Sequence, residues 1–424
     1  MQLIEYLNQN NILPLKQSGF RAGLSTVTGL LSVVDDILTA QDTGESTILI
    51  LLDFSRAFDT IDTTLLLSKL MYYGFDCNAL KWFESYLNGR TQRVRLQNET
   101  GTNIFSVASP VTRSVPQGSI LGPLLFILYS ADITGCFKYC QYRLYADDLQ
   151  VYISFNKLNQ DLSVIAEWAN NNELILNSNK IKLMILGSKK LIERTNAHKP
   201  KIVVGGNYFE QVSEVRNLGI IMDSSLRFEN HSKLIYDKHI SSIITRAYKA
   251  MGFVIRCSCA FNSLKTIKIL YCSFVRPILE YASQVWNPQY EVYKSRIEGI
   301  QKRFLKYLDY RAHTDSQNYE ERCKRYHFLP LSVRRNINDV CFYLKICNGS
   351  IYSPELLSDV TLNVPLANKR KRKLLYINRA HTNYRRNSFM IRTAKFINSL
   401  NFDIDPFYTT PSVAKSTLTS EYFA

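Results

Sequence analysis

Two aspartates stand side by side in the run Leu144-Tyr145-Ala146-Asp147-Asp148-Leu149-Gln150-Val151-Tyr152, at what the pattern predicts to be a tight turn between two apolar strands. Adjacent carboxylates on a hairpin tip repel each other and fill a turn poorly unless a cation binds there. A divalent metal ion is the natural candidate, because Mg²⁺ is held by one or two protein carboxylates together with substrate phosphates. A second acidic strand end lies upstream, where Thr47-Ile48-Leu49-Ile50-Leu51-Leu52 runs into Asp53. Together the two stretches suggest a two-metal phosphoryl-transfer site, with ions on the order of 4 Å apart.

The elements that must carry these residues are legible as alternating strands and helices. The run 47–52 is continuously apolar and rich in β-branched residues, as a central strand buried on both faces requires. Residues 25–40 place Leu30, Leu31, Val34, Ile37 and Leu38 on one side of a helix. Asp62 caps a second helix that Gly74 ends, and a third, with Trp82, Phe83, Tyr86 and Leu87, stops at Asn88-Gly89. Gln92 to Leu96 and Ile104 to Val107 read as a hairpin with Arg93 and Arg95 alternating outward. Pro116-Gln117-Gly118 breaks the chain before an apolar helix over 121–129, and the aspartate hairpin follows. A helix over about 158–170 and strands near 202–204 and 218–222 extend this α+β pattern to about residue 225; from about 230 to 348 the spacing is helical throughout.

Composition narrows the class of partner. The chain has 424 residues, long enough for two or three domains, with 46% hydrophobic and 12% aromatic residues, as a folded protein has. Lys and Arg number 52 against 36 Asp and Glu, a net charge of +16, which favours a polyanionic partner, nucleic acid before an anionic membrane surface. The longest apolar run, Ile120 to Tyr129, contains Gly122 and Pro123 and is too short to span a bilayer, so no membrane partner is expected. Nine cysteines without finger-like spacing read as reduced thiols, and with no secretory signal the expected location is nuclear or cytoplasmic, not secreted. Residues 360–402 contain no Asp or Glu but carry Lys369-Arg370-Lys371-Arg372-Lys373 and Arg385-Arg386, expected to be either a nucleic-acid-binding arm with a nuclear-import signal or a solvated linker.

In consecutive blocks and in order, the chain resembles the reverse transcriptases of non-LTR (LINE-like) retrotransposons, the jockey-like elements above all. Gln17-Ser18-Gly19-Phe20-Arg21 with Ser25-Thr26 resembles the fingers motif; Asp53-Phe54-Ser55-Arg56-Ala57-Phe58-Asp59 resembles the first palm motif. Ser114-Val115-Pro116-Gln117-Gly118-Ser119-Ile120-Leu121-Gly122-Pro123 resembles the second, the Asp147-Asp148 hairpin the third, and Asn177 to Lys180 and Leu218-Gly219-Ile220 the fourth and fifth. Further on, Arg276 to Ala282 with Val285-Trp286, Ile300 to Phe304 and Asn383 to Phe389 are similar to the family as well.

The resemblance implies an RNA-directed DNA polymerase that adds dNTPs to a DNA primer on an RNA template. It implies a right-hand fold: a ferredoxin-like α+β palm with partial fingers (1–225), an all-α thumb-like domain (226–348) and a basic C-terminal region (349–424). Two Mg²⁺ ions, with Mn²⁺ as a substitute, are expected on Asp53 and Asp147, with Asp148 as the supporting carboxylate; alone, Asp53 could equally cap the turn that follows it. Phe58 is placed by the motif under the incoming sugar, where it excludes a 2′-hydroxyl and so argues against an RNA polymerase of viral type; a core Phe is the other reading. Gln117 and Gly118 form the floor of the nucleotide pocket, or simply a turn opening the next helix. Arg21 reaches the triphosphate, Lys180 protonates pyrophosphate with Lys182 as the other candidate, and Tyr145 seats the primer end or borders the core. Because the chain begins just before the fingers motif, upstream fingers segments and an N-terminal endonuclease are expected to be missing. That leaves an alternative: a relic that binds nucleic acid through its basic regions without polymerising.

Overall fold

The apolar run becomes β1 (Thr47–Leu52), and every residue from Ile48 to Ile50 is at most 1% exposed, as a strand covered on both faces must be. A computed structural model describes residues 2–423 apart from 100, 154–157, 198–201, 205–206, 210, 227–235, 262, 315–317, 364–372 and 403. It divides into two units, one of residues 1–22, 48–184 and 195–212, the other of 23–47, 185–194 and 213–424.

In the first unit, Asp62 caps the helix Thr63–Tyr72 by accepting the Leu65 N–H at 2.8 Å, and Gly74, at φ +86°, supplies the left-handed residue that ends it. Asp76 caps Cys77–Leu87 in the same way. An exposed arm follows, in which β2 (Thr91–Gln92) pairs with β5 (Ser109–Pro110), and β3 (Arg95–Gln97) pairs with β4 (Asn103–Phe105). This is the expected hairpin, broken in the middle because the Ser106 hydroxyl, not a backbone carbonyl, takes the Val94 N–H. The helix Gly122–Ser130 is apolar all round and accordingly buried nearly all round. Then come β6 (Gln141–Tyr145), β7 (Asp148–Ile153), the helix Leu158–Asn171 and β8 (Lys182–Ser188), whose last residues belong to the second unit. Asp161, 2% exposed, ties that helix to the start of β6 by accepting the N–H groups of Lys138, Tyr139 and Cys140 at 3.2, 2.9 and 2.7 Å.

Four neighbouring strands of the sheet run in the order β8-β1-β7-β6, with β7 antiparallel to both β1 and β6, and Ser225–Leu226 adds a short parallel edge to the end of β8. The succession strand, helices, two strands, helix, strand is a β-α-β-β-α-β unit. It brings the end of β1 beside the β6–β7 turn.

The second unit is mostly helical. Helices Asp237–Ser258, Leu264–Phe274, Glu291–Ala312 and Leu331–Cys347 enclose an aromatic core in which Tyr271 stacks on Phe304 at 4.0 Å. Glu298 reaches across to the start of Leu331–Cys347 and accepts the Leu331 and Ser332 N–H groups, a carboxylate at a helix N-terminus that Pro330 cannot cap itself. Among the described residues no helix is long and apolar enough to cross a membrane.

The second unit overturns the solvated-linker reading of residues 373–402. The region 360–402 is neither a free arm nor a linker where it is described: it contains the helix Phe389–Ser399, Arg392 pairs with buried Asp339 at 3.0 Å, and Arg385 pairs with Asp35. Burial pushes Asp35 up to about 7, while Arg385 pulls it down. Absence of acidic residues nearby in sequence misled, since the countercharges come from helices far away in the chain. Lys369 to Arg372 lie outside the described residues.

His239, 3% exposed, carries a pH dependence of its own. Its Nδ1 accepts the Ile221 N–H at 3.4 Å and its ring stands edge-on to Trp286; burial, helped by Arg246 and Arg216, drives its pKa down to about 4. The unfolded chain, with an ordinary imidazole near pH 6.5, binds the proton first, so this contribution is complete above 6.5 and is lost as pH falls toward 4. Acidifying from pH 7.5 to 5 is expected to cost about 2 kcal/mol through this residue, and His239→Gln should flatten that part of the urea-melt pH profile. An unchanged profile in the variant would refute the assignment.

Candidate active site

The β6–β7 register pairs Tyr145 with Asp148, leaving Ala146 and Asp147 as a two-residue turn. Ala146 has φ +56°, the left-handed value such short hairpins favour at their first turn position. The β1–β7 register ends with Leu52 opposite Leu149, so Asp53, one residue further, comes level with Asp148. A third segment then folds alongside. Phe54 bridges to Leu176, the Ser55 N–H donates to Ile175, and the Asn177 N–H donates to the Asp53 carbonyl at 2.9 Å. The turn beginning at Asn177 delivers Lys180, whose Nζ lies 2.9 Å from Asp53 Oδ2. Lys182 instead donates to the Asn179 carbonyl.

Charge in this corner is unbalanced toward the negative. Desolvation raises Asp147 and the Asp53 charge raises it further, against its own N–H and Lys180, which lower it. Desolvation, then Asp147 and Asp53, push Asp148 up to about 6, while Lys180 again pulls down. Lys180 in turn is held protonated above the usual lysine range by the Asp53 hydrogen bond and charge. Asp53, Asp147, Asp148 and Lys180, drawn from three separate stretches of chain, therefore act on one another. Among the described residues no three His, Cys, Asp or Glu side chains are placed as ligands of a single ion. The donor chemistry nonetheless fits Mg²⁺, which takes hard carboxylate oxygens from one or two residues and fills the rest of its octahedron with water and phosphate. Three carboxylates sharing one exposed lysine leave negative charge for such a cation to neutralise.

The remaining candidates divide. Phe58 is half-buried, stacked at 4.5 Å on fully buried Phe126 and edge-on to Phe20 at 6.3 Å, so one face is committed to the core while the ring stays partly open. Gly118 is exposed, at φ +77°, and nothing stands within 4 Å of where a Cβ would be. Gln117 is exposed too, and donates to Asp59 Oδ1 at 2.6 Å, tying the second palm-like block to the first; that partner had no signal in the sequence beyond its place in the motif. Tyr145 is half-buried at the turn's edge. Arg21 donates to the Pro14 carbonyl at 2.6 Å.

Residues 1–222 match the family model described as reverse transcriptase (RNA-dependent DNA polymerase). The chain belongs to the reverse transcriptase family. It is 29% identical over 327 residues to the probable RNA-directed DNA polymerase from transposon X-element of Drosophila melanogaster, covering 73% of this chain and 33% of that protein. With the RNA-directed DNA polymerase from mobile element jockey of Drosophila funebris the figures are 27% over 310 residues, 69% of this chain and 32% of that one. These matches bear out the resemblance to non-LTR retrotransposon reverse transcriptases. The chain spans about a third of the length of these relatives. Among solved structures, apo telomerase from Candida tropicalis overlaps with a TM-score of 0.42 and 13% identity, over 80% of this chain and 53% of that one, too loosely to carry an argument.

Proposed function

We propose that this chain is the polymerase part of a non-LTR retrotransposon protein and copies an RNA template into DNA by adding dNTPs to a primer 3′-hydroxyl. The observation that carries the reading is the meeting of Asp53, Asp147, Asp148 and Lys180 at one corner of a β-α-β-β-α-β sheet. That sheet belongs to the palm, within residues 1–225 that also hold partial fingers; the helices of 226–348 are the thumb, and 349–424 form the basic C-terminal region.

Asp53 and Asp147 would hold the divalent cations, and Asp148 would add its charge beside them. Bound there, a Mg²⁺ pair supplies the Lewis acidity that activates the 3′-oxygen and neutralises the leaving pyrophosphate. Lys180, 2.9 Å from Asp53 Oδ2, would supply the proton to the pyrophosphate oxygen. Phe58, held flat on Phe126, bars a 2′-hydroxyl by bulk. Gly118 leaves room for the nucleotide to approach the backbone, and Gln117, oriented by Asp59, hydrogen-bonds it. Tyr145 borders the primer end, and Arg21, from the segment beside β6, reaches the triphosphate once released from Pro14. The net charge of +16 draws in the template.

Primer extension on an RNA template tests this. Expected is Mg²⁺-dependent DNA product, stopped by EDTA. Salt-sensitive, metal-independent RNA binding with no incorporation would overturn the enzymatic reading and leave the binding relic.

A further inference from the structure

The turn carrying Asp147 and Asp148 is held from outside its own hairpin. Gln17, 1% exposed, lies beside β6: its backbone bridges Leu144 in parallel, the Ser18 N–H donates to the Leu144 carbonyl at 2.8 Å, and the Leu144 N–H donates to the Lys16 carbonyl at 3.0 Å. This places the Gln17 side chain against the residue preceding the aspartates. Its Oε1 accepts the Ala146 N–H at 2.9 Å and its Nε2 donates to the Ala146 carbonyl at 3.3 Å. The same Oε1 accepts the Gly19 N–H at 2.8 Å, so the amide cannot swing away without giving up a second buried partner.

Ala146 needs such support. A non-glycine residue at φ +56° is strained, and one with buried backbone groups gains nothing from water. A glycine here would relieve the strain but loosen the turn. The clamp lets alanine stay, and with it a turn of one shape. Gly19 closes the arrangement from the other side, because a Cβ there would stand 2.3 Å from the Ala146 nitrogen. Two positions that the sequence shows only as part of the Gln17-Ser18-Gly19 block thus both converge on a single residue.

We infer that Gln17 is a positioning residue that fixes the Ala146 peptide and thereby the placement of the Asp147 and Asp148 carboxylates for metal. At 1% exposed it offers a substrate no surface; it acts through the turn. The inference rests on the polymerase reading only for its effect on rate, because its effect on metal binding can be read without turnover.

The test uses the full chain with Mn²⁺ as probe, free ion being counted by electron paramagnetic resonance, beside steady-state dNTP incorporation. Gln17→Met fills the same volume without any of the three hydrogen bonds. It is expected to weaken Mn²⁺ binding about tenfold, as loss of a partner behind a ligand does, and to lower kcat with the KM for dNTP little changed. Gln17→Glu keeps an acceptor for both N–H groups and is expected to retain most of the Mn²⁺ affinity. A purely structural role would lower the melting temperature and leave the Mn²⁺ affinity of the folded protein alone. Wild-type Mn²⁺ affinity in folded Gln17→Met overturns the inference. Should Gln17→Met not fold, Gln17→Asn decides, because its amide is one methylene too short to reach Ala146: a tenfold loss of Mn²⁺ affinity in the folded variant supports the clamp and wild-type affinity overturns it. Mn²⁺ binding that depends on Gln17 in a chain that incorporates no dNTP would sink the polymerase reading and leave the clamp standing, whereas a wild-type chain that binds no Mn²⁺ sinks both.

Discussion

Asp147→Ala is expected to lower RNA-templated dNTP incorporation by about 10³-fold, equivalent to ~4 kcal/mol of transition-state stabilisation. Asp147 sits on the β6–β7 turn, where the charge of Asp53 and burial both oppose its ionisation, and Lys180 favours it. A carboxylate kept in so unfavourable a place stabilises nothing in the free protein. Removing it should therefore leave the melting temperature unchanged or slightly higher while activity collapses. That combination separates a catalytic role from a structural one, since a residue needed for the fold would lose both together. Incorporation by Asp147→Ala at the wild-type rate would remove the metal-site assignment, and with it the mechanism.

Phe58→Ala should act on choice of substrate more than on rate. The ring is fixed against Phe126 at 4.5 Å, and a fixed ring discriminates by bulk where a mobile one would yield. Truncation is expected to relax the preference for dNTPs over rNTPs by about 100-fold, at the upper end of what a pocket that only excludes by size achieves. Some stability goes with it, ~2 kcal/mol for the buried face of a half-exposed Phe. Comparing kcat/KM for dCTP and rCTP on the same primed RNA reads the ratio directly and is insensitive to the fraction folded. An unaltered ratio would return Phe58 to the ordinary role of a core-edge aromatic.

Much of this site could be read from residue order. Local rules operate over a few residues, and they located β1 at 47–52, the Asp62-capped helix and the aspartate hairpin, because an apolar run, a capping carboxylate and a two-residue turn each carry their physical cause within the segment itself. The family resemblance marked Asp53, Asp147, Asp148 and Lys180 by their blocks. The basic region near the C-terminus misled for the converse reason: Asp35 and Asp339, which partner Arg385 and Arg392, lie 350 and 53 residues away.

What folding alone decided is contact between distant stretches. No spacing rule says that Lys180 rather than Lys182 comes to rest on Asp53; the pairing of Phe54 with Leu176 does that. Nor does any local pattern show the Gln17 amide gripping both polar groups of Ala146, 129 residues on. Side-chain type and short-range periodicity belong to the sequence, whereas register across a sheet depends on which strands become neighbours. The acidic residues are fixed by the sequence, and their action on one another arose only when β1 and β6 paired on either side of β7.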